Sequence, residues 1–150
     1  MTARELPIHK AIAGYLHTEL DRRGVPWTHI ANGEHRRPAV AAKLTSMGLN
    51  AGAGDILVTG LEGRCVMLEV KRAKGGRLSK DQEAYKAAHT RLGGRWFEVR
   101  DVDEVRGTLR ALGLLDLPVL PMDMWFDPIK LRSERRAKKA AAKVRRRVLK

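Results

Sequence analysis

Residues 54–71 read GDILVTGLEGRCVMLEVK, with apolar side chains at every second position on either side of a glycine-containing turn. Alternation with a period of two is the signature of a β-strand that has one buried face. The pattern therefore predicts a β-hairpin whose turn spans residues 60–64. The side chains predicted to face the core are Ile56, Val58, Val66, Leu68 and Val70.

The charged residues of this hairpin fall on its other face. Glu69 and Lys71 are two positions apart, so they leave the second strand on the same side. An odd number of turn residues brings Asp55 to that side as well, and the apolar parity of the first strand requires the same register. Two carboxylates and an amine thus gather at one end of the hairpin.

These groups suit the metal-dependent hydrolysis of phosphodiesters. A hard cation such as Mg²⁺ prefers oxygen ligands, which Asp55, Glu69 and the Val70 carbonyl could supply. Lys71 could then orient the attacking water or stabilise the anionic transition state. The alternative interpretation is a simple ion pair between Glu69 and Lys71, because charge pairs are common on strands.

Three sequence blocks in order carry a resemblance to a known family: GAGDILV at 52–58, LEVK at 68–71 and GGRLSKDQ at 75–82. Over residues 5–99 the chain resembles the VRR-Nuc branch of the PD-(D/E)XK nucleases. Members typically show Gly-x-Pro-Asp, then Glu-x-Lys on the next strand, then Gly-x-Leu-Ser/Thr-x-x-Gln at the start of a helix. Gly54 stands where the family usually has proline. Glycine loosens that turn, but the expected ligand Asp55 is still present.

The resemblance implies an α/β fold of the restriction-endonuclease-like type, with a mixed β-sheet flanked by helices. It also implies Mg²⁺-dependent cleavage of DNA, with Mn²⁺ as a substitute, often at branched or otherwise structured DNA as in repair and recombination. Because cutting both strands of a DNA duplex requires two active sites, a homodimer is the expected assembly. The resemblance also leads us to expect a viral or bacterial origin. A non-catalytic or differently targeted nucleic-acid-binding protein is the alternative function.

Two further site residues follow from the resemblance. Gln82 matches the family glutamine near the metal, although its position three residues after Ser79 also makes a helix capping box. Glu5 matches a metal-supporting glutamate at the start of the first helix. Pro7 leaves Glu5 an alternative role toward the helix dipole, and Glu19 is the reserve candidate on nearly the same face.

The composition indicates a polyanionic partner and a single compact domain. The chain has 150 residues, with 30 Lys and Arg against 17 Asp and Glu, a formal charge of +13. Such an excess is typical of proteins that bind nucleic acid or an anionic membrane surface. The single cysteine, Cys65, excludes an internal disulfide and fits a reducing cytosol, and we expect it to be a small packing residue on a strand.

Several classes of protein are excluded by what the sequence lacks. Residues 1–20 carry charges that a signal-peptide core would not, and no apolar run reaches the ~18 residues of a membrane-spanning helix. We therefore expect a cytoplasmic protein, in the host cytoplasm if it is viral, with no membrane partner. No phosphate-loop motif is present, so no nucleotide cofactor is expected. The histidines lack metal-ligand spacing.

Periodicity and capping signals predict the remaining elements. A helix begins the chain, a strand follows at 25–30, and a second helix lies at 38–47. After the hairpin, capping pairs begin helices at Ser79 and Asp101, with a strand at 95–99 between them. The inner face of the Ser79 helix is predicted to be Ala84, Tyr85, Ala88 and Leu92. The order α-β-α-β-β-α-β-α suits a mixed sheet with helices on both faces.

Positive charge is concentrated at the C-terminal end. Residues 130–150 hold 11 basic residues and one acid, a net +10, which leaves 19 basic and 16 acidic residues for the rest of the chain. The sequence predicts a nuclease domain at 1–113, a proline-containing linker at 114–129 and a basic helical tail at 130–150. The tail is either an arm that binds phosphate backbones or a solvated, frayed extension.

Candidate DNA contacts lie in two loops and in this tail. Arg36 and Arg37 belong to a polar cluster before the second helix, which a plain solvated turn would also explain. Lys74 and Arg77 flank a glycine loop beside the predicted metal site and could contact phosphate. The tail candidates are Arg135, Arg136, Lys138, Lys139, Arg145, Arg146 and Arg147.

Overall fold

The computed structural model describes residues 5–32 and 37–124. Its helices and strands follow one another in the order predicted from the sequence. The helices are α1 (Leu6–Glu19), α2 (Pro38–Ser46), α3 (Lys80–Arg91) and α4 (Val102–Ala111). The strands are β1 (Trp27–His29), β2 (Ile56–Thr59), β3 (Cys65–Val70) and β4 (Arg95–Val99). Within the described ranges, no helix has the length and apolar character needed to cross a bilayer.

The four strands form one mixed sheet in the order β1-β2-β3-β4. β2 pairs antiparallel with both β1 and β3, whereas β3 and β4 run parallel. In the hairpin, Ile56 lies opposite Leu68 and Val58 lies opposite Val66. This is the register that the alternation of apolar residues predicts. One step beyond the paired residues, Asp55 lies at the level of Glu69.

One face of the sheet carries the main hydrophobic core. The five hairpin side chains predicted to face inward are all between 0 and 2% exposed, so the predicted core face is confirmed. α1 and α4 cover this face with fully buried side chains, which are Ile12, Leu16, Val105 and Leu109. Burying each such aliphatic side chain stabilises the folded state by roughly 1.5–3 kcal/mol.

The other face of the sheet is packed more lightly. Ala53, Met67 and Trp96 form a small second cluster, against which Tyr85 is partly buried. The predicted inner face of α3 is wrong except at Tyr85, because Ala84, Ala88 and Leu92 are exposed. α3 meets this face of the sheet through the Tyr85 and His89 rings, which lie beside Trp96.

Two further expectations about packing are wrong. α2 has nearly the predicted bounds but buries no residue. Val40 is 46% exposed, and Met47, the C-cap residue of the helix, is 71% exposed. Cys65 is exposed rather than packed. It is the first residue of β3, it lies opposite the exposed Thr59, and its parity is opposite to that of the core residue Val66.

The packed part of the chain continues beyond residue 113 into the predicted linker. Leu114 is buried in the main core, and Leu115 and Leu117 pack against it. The Leu120 N–H donates to the Arg22 carbonyl at 2.8 Å. Gly24 has φ +67°, a left-handed conformation that favours glycine, and the Leu120 side chain lies 2.6 Å from where a Cβ of residue 24 would stand. The predicted tail lies outside the described residues.

Candidate active site

The hairpin places two carboxylates side by side at the end of the sheet. Asp55 precedes β2 and Glu69 is the last but one residue of β3, and both side chains are buried. Asp55 Oδ2 accepts a hydrogen bond of 2.9 Å from the Val70 N–H. The Asp55 carbonyl accepts a second bond from the Ile30 N–H. Asp55 is therefore tied through its side chain to β3 and through its backbone to the end of β1.

Lys71 directly follows β3 and forms an ion pair with one of the two carboxylates, Glu69. Its side chain is buried, and its Nζ lies 2.9 Å from Glu69 Oε1. The same ammonium donates to Gln82 Oε1 at 3.0 Å. The ion pair of the alternative interpretation is thus present, and it lies inside the predicted site. The two interpretations of Glu69 and Lys71 are compatible.

Gln82 makes the predicted capping box and also contacts two residues of the candidate site. Its side-chain carbonyl accepts from the Ser79 N–H at 3.0 Å, and its own N–H donates to Ser79 Oγ at 3.2 Å, which completes the capping box of α3. Its side-chain amide donates to Glu69 Oε1 at 2.6 Å. One side chain therefore begins α3 and fixes the positions of Glu69 and Lys71.

The electrostatics of the two carboxylates fit a divalent cation. Burial, and then repulsion from Asp55, raise the pKa of Glu69 to about 7, against partial compensation by Lys71 and Gln82. Glu69 Oε2 is buried and accepts no hydrogen bond from the residues that the structure describes. A hard cation between the carboxylates would relieve the repulsion and use this oxygen. The all-oxygen donor set suits Mg²⁺ or Mn²⁺.

The number of protein ligands is small. In the part of the chain that the structure describes, no group of three His, Cys, Asp or Glu is placed to hold a metal ion. Glu5 is buried and lines the same cleft as Asp55 and Glu69, but it does not complete a three-carboxylate cluster with them. Mg²⁺ commonly keeps several waters and uses one or two carboxylates. The reserve candidate Glu19 instead pairs with Arg22 and Arg23.

A cleft of about 370 Å³ lies over these groups. One wall is the glycine loop 72–77, from which Arg72 and Arg77 line the cleft. Gly76 comes so close to the site that a Cβ there would stand 2.9 Å from the Lys71 Cβ. Lys74 is exposed in the same loop, and Arg37 is exposed at the start of α2. Arg36 and the tail candidates lie outside the described residues.

The sequence interpretation missed three residues: Arg72, which lines the cleft, and His9 and His29, which lie next to Asp55. Arg72 follows Lys71 directly and was not among the predicted DNA contacts. His9 is buried one helical turn after Glu5, and its ring lies edge-on to the His29 ring with centroids 4.6 Å apart. Burial, and then His29, lower the pKa of His9. A helical spacing of four from Glu5 was the available signal for His9.

Two solved structures are similar to this fold. One, described as a VRR_NUC domain protein, is 15% identical, with 78% of this chain and 92% of that chain covered and a TM-score of 0.53. Another, described as a VRR_NUC domain, is 18% identical, with 73% and 97% covered and a TM-score of 0.48. No family model and no curated protein matches the chain. The first likeness shows the α/β, restriction-endonuclease-like fold of the VRR-Nuc type, as the sequence resemblance predicts.

Proposed function

We propose that this protein is a metal-dependent endonuclease that hydrolyses phosphodiester bonds in DNA. The observation that carries the proposal is the convergence of Asp55, Glu69, Lys71 and Gln82 from the hairpin and the start of α3 into one cleft. The likeness of the fold to a VRR_NUC domain protein supports a nuclease over other functions of α/β proteins.

The cofactor of the proposed reaction is Mg²⁺, for which Mn²⁺ can substitute. Asp55, Glu69 and the Val70 carbonyl would hold it, with Glu5 contributing through a water. When bound, the cation supplies Lewis acidity that activates water and offsets negative charge on the phosphate. The raised pKa of Glu69 and its unpartnered oxygen support this assignment.

The residues of the chain supply orientation and positive charge. Attack of water on phosphorus breaks one P–O ester bond and yields a phosphate monoester and an alcohol. The Lys71 ammonium, held by Glu69 and Gln82, stabilises the negative charge that grows on the phosphate oxygens. Its burial strengthens this effect, since charges interact more strongly away from bulk water. Asp55 keeps its place because the Val70 N–H fixes its carboxylate.

The substrate we propose is DNA with a branch or another departure from regular duplex. Arg72 and Arg77 line the wall of the cleft, and Lys74 and Arg37 lie on exposed loops where they could contact phosphates. The net charge of +13 supports a polyanionic substrate. A homodimer would provide the two sites that cutting both strands requires.

A cleavage assay on matched substrates tests the proposal. The protein is incubated with a labelled four-way junction, a flap, a single strand and a linear duplex, each with Mg²⁺, Mn²⁺, Ca²⁺ or EDTA. We expect cleavage in Mg²⁺ and Mn²⁺, none in EDTA, and binding without turnover in Ca²⁺. Asp55→Asn protein prepared identically controls for contaminating nucleases. Full activity in EDTA would exclude the metal site, and binding without cleavage in every metal would favour the non-catalytic alternative.

The basic residues 130–150 are proposed to bind phosphate backbones. Each phosphate that Lys or Arg neutralises adds about −0.9 to the slope of log K against log salt concentration. If the tail engages four phosphates, truncation before Lys130 makes the slope shallower by roughly 3.6 and lowers affinity similarly for all DNA sequences. Equal slopes for the truncated and full-length proteins would show that the tail is a solvated extension.

A further inference from the structure

Two edge-on ring contacts connect α1 to β1. His17 lies against Trp27, with ring centroids 4.6 Å apart and ring planes 66° apart. Two turns earlier, His9 lies against His29, also with centroids 4.6 Å apart and with planes at 81°. The same helix and the same strand thus meet through two contacts of similar geometry, and only the second lies beside the candidate active site.

The contact far from the cleft is completed by its own hydrogen bonds. Asp21 accepts from His17 Nδ1 at 2.8 Å and from Trp27 Nε1 at 2.8 Å. This arrangement satisfies the polar atoms of both rings that face the carboxylate, as expected for a contact that stabilises the fold. It involves no residue of the cleft.

The contact near the cleft leads directly into the site. His29 Nδ1 lies 3.0 Å from the Asp55 carbonyl, and because a carbonyl only accepts, the ring nitrogen donates. On α1, the backbone N–H of His9 donates to the Glu5 carbonyl at 2.9 Å, which is the ordinary hydrogen bond of the first helical turn. The ring contact therefore connects the helical turn that begins at Glu5 with the backbone of Asp55, and Glu5 and Asp55 both line the cleft from separate elements.

The first turn of α1 meets β1 through this contact. Glu5 occupies the N-cap position and makes no side-chain cap hydrogen bond. His9 is buried, and its Nδ1 has no hydrogen-bond partner among the described residues. The His9 side chain therefore meets β1 through the edge-on contact of its ring with His29 rather than through a hydrogen bond of Nδ1.

We infer that His9 is a positioning residue of the metal site. Its ring holds His29 against the Asp55 carbonyl and keeps the Glu5 turn beside the same cleft. The inference rests on the proposed function, because it assigns His9 a role in metal binding by Asp55 and Glu69. Residues behind the ligands of a metal site typically change metal affinity 10- to 100-fold when they are removed.

The test is the affinity of the full-length protein for Mn²⁺, measured by calorimetry at one pH without DNA. We expect His9→Ala to weaken Mn²⁺ binding about tenfold. His9→Phe keeps the ring and should bind Mn²⁺ within about threefold of wild type, whereas His9→Gln lacks the ring and should behave like His9→Ala. His17→Ala removes the matching contact far from the cleft; it should lower the melting temperature and leave Mn²⁺ affinity unchanged.

A double-mutant cycle checks that the effect passes through His29. If the two rings act in series, His9→Ala/His29→Ala should bind Mn²⁺ about as well as the weaker single variant rather than showing the product of both losses. Fully multiplied losses, or equal weakening by His17→Ala and His9→Ala, would overturn the inference. Should His9→Ala fail to fold, the contrast between His9→Phe and His9→Gln decides in the same way.

Asp55→Asn separates this inference from the proposed function. If Asp55→Asn leaves Mn²⁺ affinity unchanged, the metal site itself is wrong and the proposed function fails. If Asp55→Asn abolishes binding while His9→Ala and His9→Gln bind like wild type, the metal site stands and the role of His9 is refuted.

Discussion

The two faces of β3 are almost equally buried but have opposite effects on the stability of the fold. Val66, Leu68 and Val70 face the aliphatic core, while Glu69 and the Lys71 that follows the strand face the cleft with 2% and 6% of their surface exposed. The first face is stabilised by the loss of apolar surface. The second keeps charged groups away from water, which opposes folding unless partners compensate. One strand thus supplies both stability and a site that depends on it.

The largest effect is expected on the core face. Leu68→Ala should lower the free energy of unfolding by about 2–5 kcal/mol, because it opens a cavity in a fully buried position. Denaturant unfolding followed by circular dichroism measures the change, with the exposed Leu92→Ala as control. A loss below about 1 kcal/mol would show that this face is less tightly packed than its burial implies.

On the cleft face, the main loss should be in rate. Asp55→Asn or Lys71→Ala should slow DNA cleavage by at least about a hundredfold, or ~2.7 kcal/mol, since in the proposed function Asp55 holds the cation and Lys71 stabilises the charge on the phosphate. DNA binding should persist, and loss of negative charge in Asp55→Asn should favour it. Lys43→Ala, an exposed lysine on α2, is the matched control. Wild-type cleavage rates in both variants would place the active site elsewhere.

A pH series tests the raised pKa of Glu69, which is caused by burial and then by repulsion from Asp55. Because the pKa of Glu69 rises from 4.5 to about 7 on folding, the folded protein holds a proton that the unfolded chain has lost within that window. The free energy of unfolding should therefore fall as pH rises from 4.5 to about 7, by on the order of 2 kcal/mol.

The matched variant for this series is Glu69→Gln, which removes the titrating group. In EDTA, the difference between wild-type and Glu69→Gln unfolding curves should show the fall, and Mg²⁺ at pH 8 should reverse it in the wild type alone. A difference that is independent of pH would refute the raised pKa.

The smallest effect is expected away from both faces. Met47→Ala at the C-cap of α2 should change the free energy of unfolding by no more than about 0.5 kcal/mol, because the Met47 side chain is exposed. Thermal unfolding of the variant beside the wild type measures this. A loss of several kcal/mol would mean that α2 is covered in solution.

Features that depend on neighbours in sequence could be predicted from sequence. The hairpin register follows from the alternation around Val58 and Val66. The capping box of α3 and the Asp101 N-cap of α4 follow from residues three apart. The resemblance gave the fold type. Asp55, Glu69, Lys71 and Gln82 do lie together, as the hairpin pattern and the resemblance together predict.

Features that depend on distant packing could not be predicted in the same way. Amphipathic spacing shows that α2 and α3 each have an apolar side, but it does not show whether another element covers that side. Leu114 reaches the core and His9 reaches His29 only because separate elements meet in three dimensions. Proline content made residues 114–129 look extended, although hydrophobic side chains in 114–120 are packed.

The double role of Gln82 restricts which residues evolution can place there. Glutamate and glutamine complete a capping box equally well, so helix formation alone would accept either. A glutamate at position 82 would bring a third negative charge beside Glu69 and lose the amide that donates to it. Asparagine would keep the amide but shorten its reach. Of the residues suited to this helix start, glutamine meets both demands, and the position is expected to be nearly invariant among active relatives.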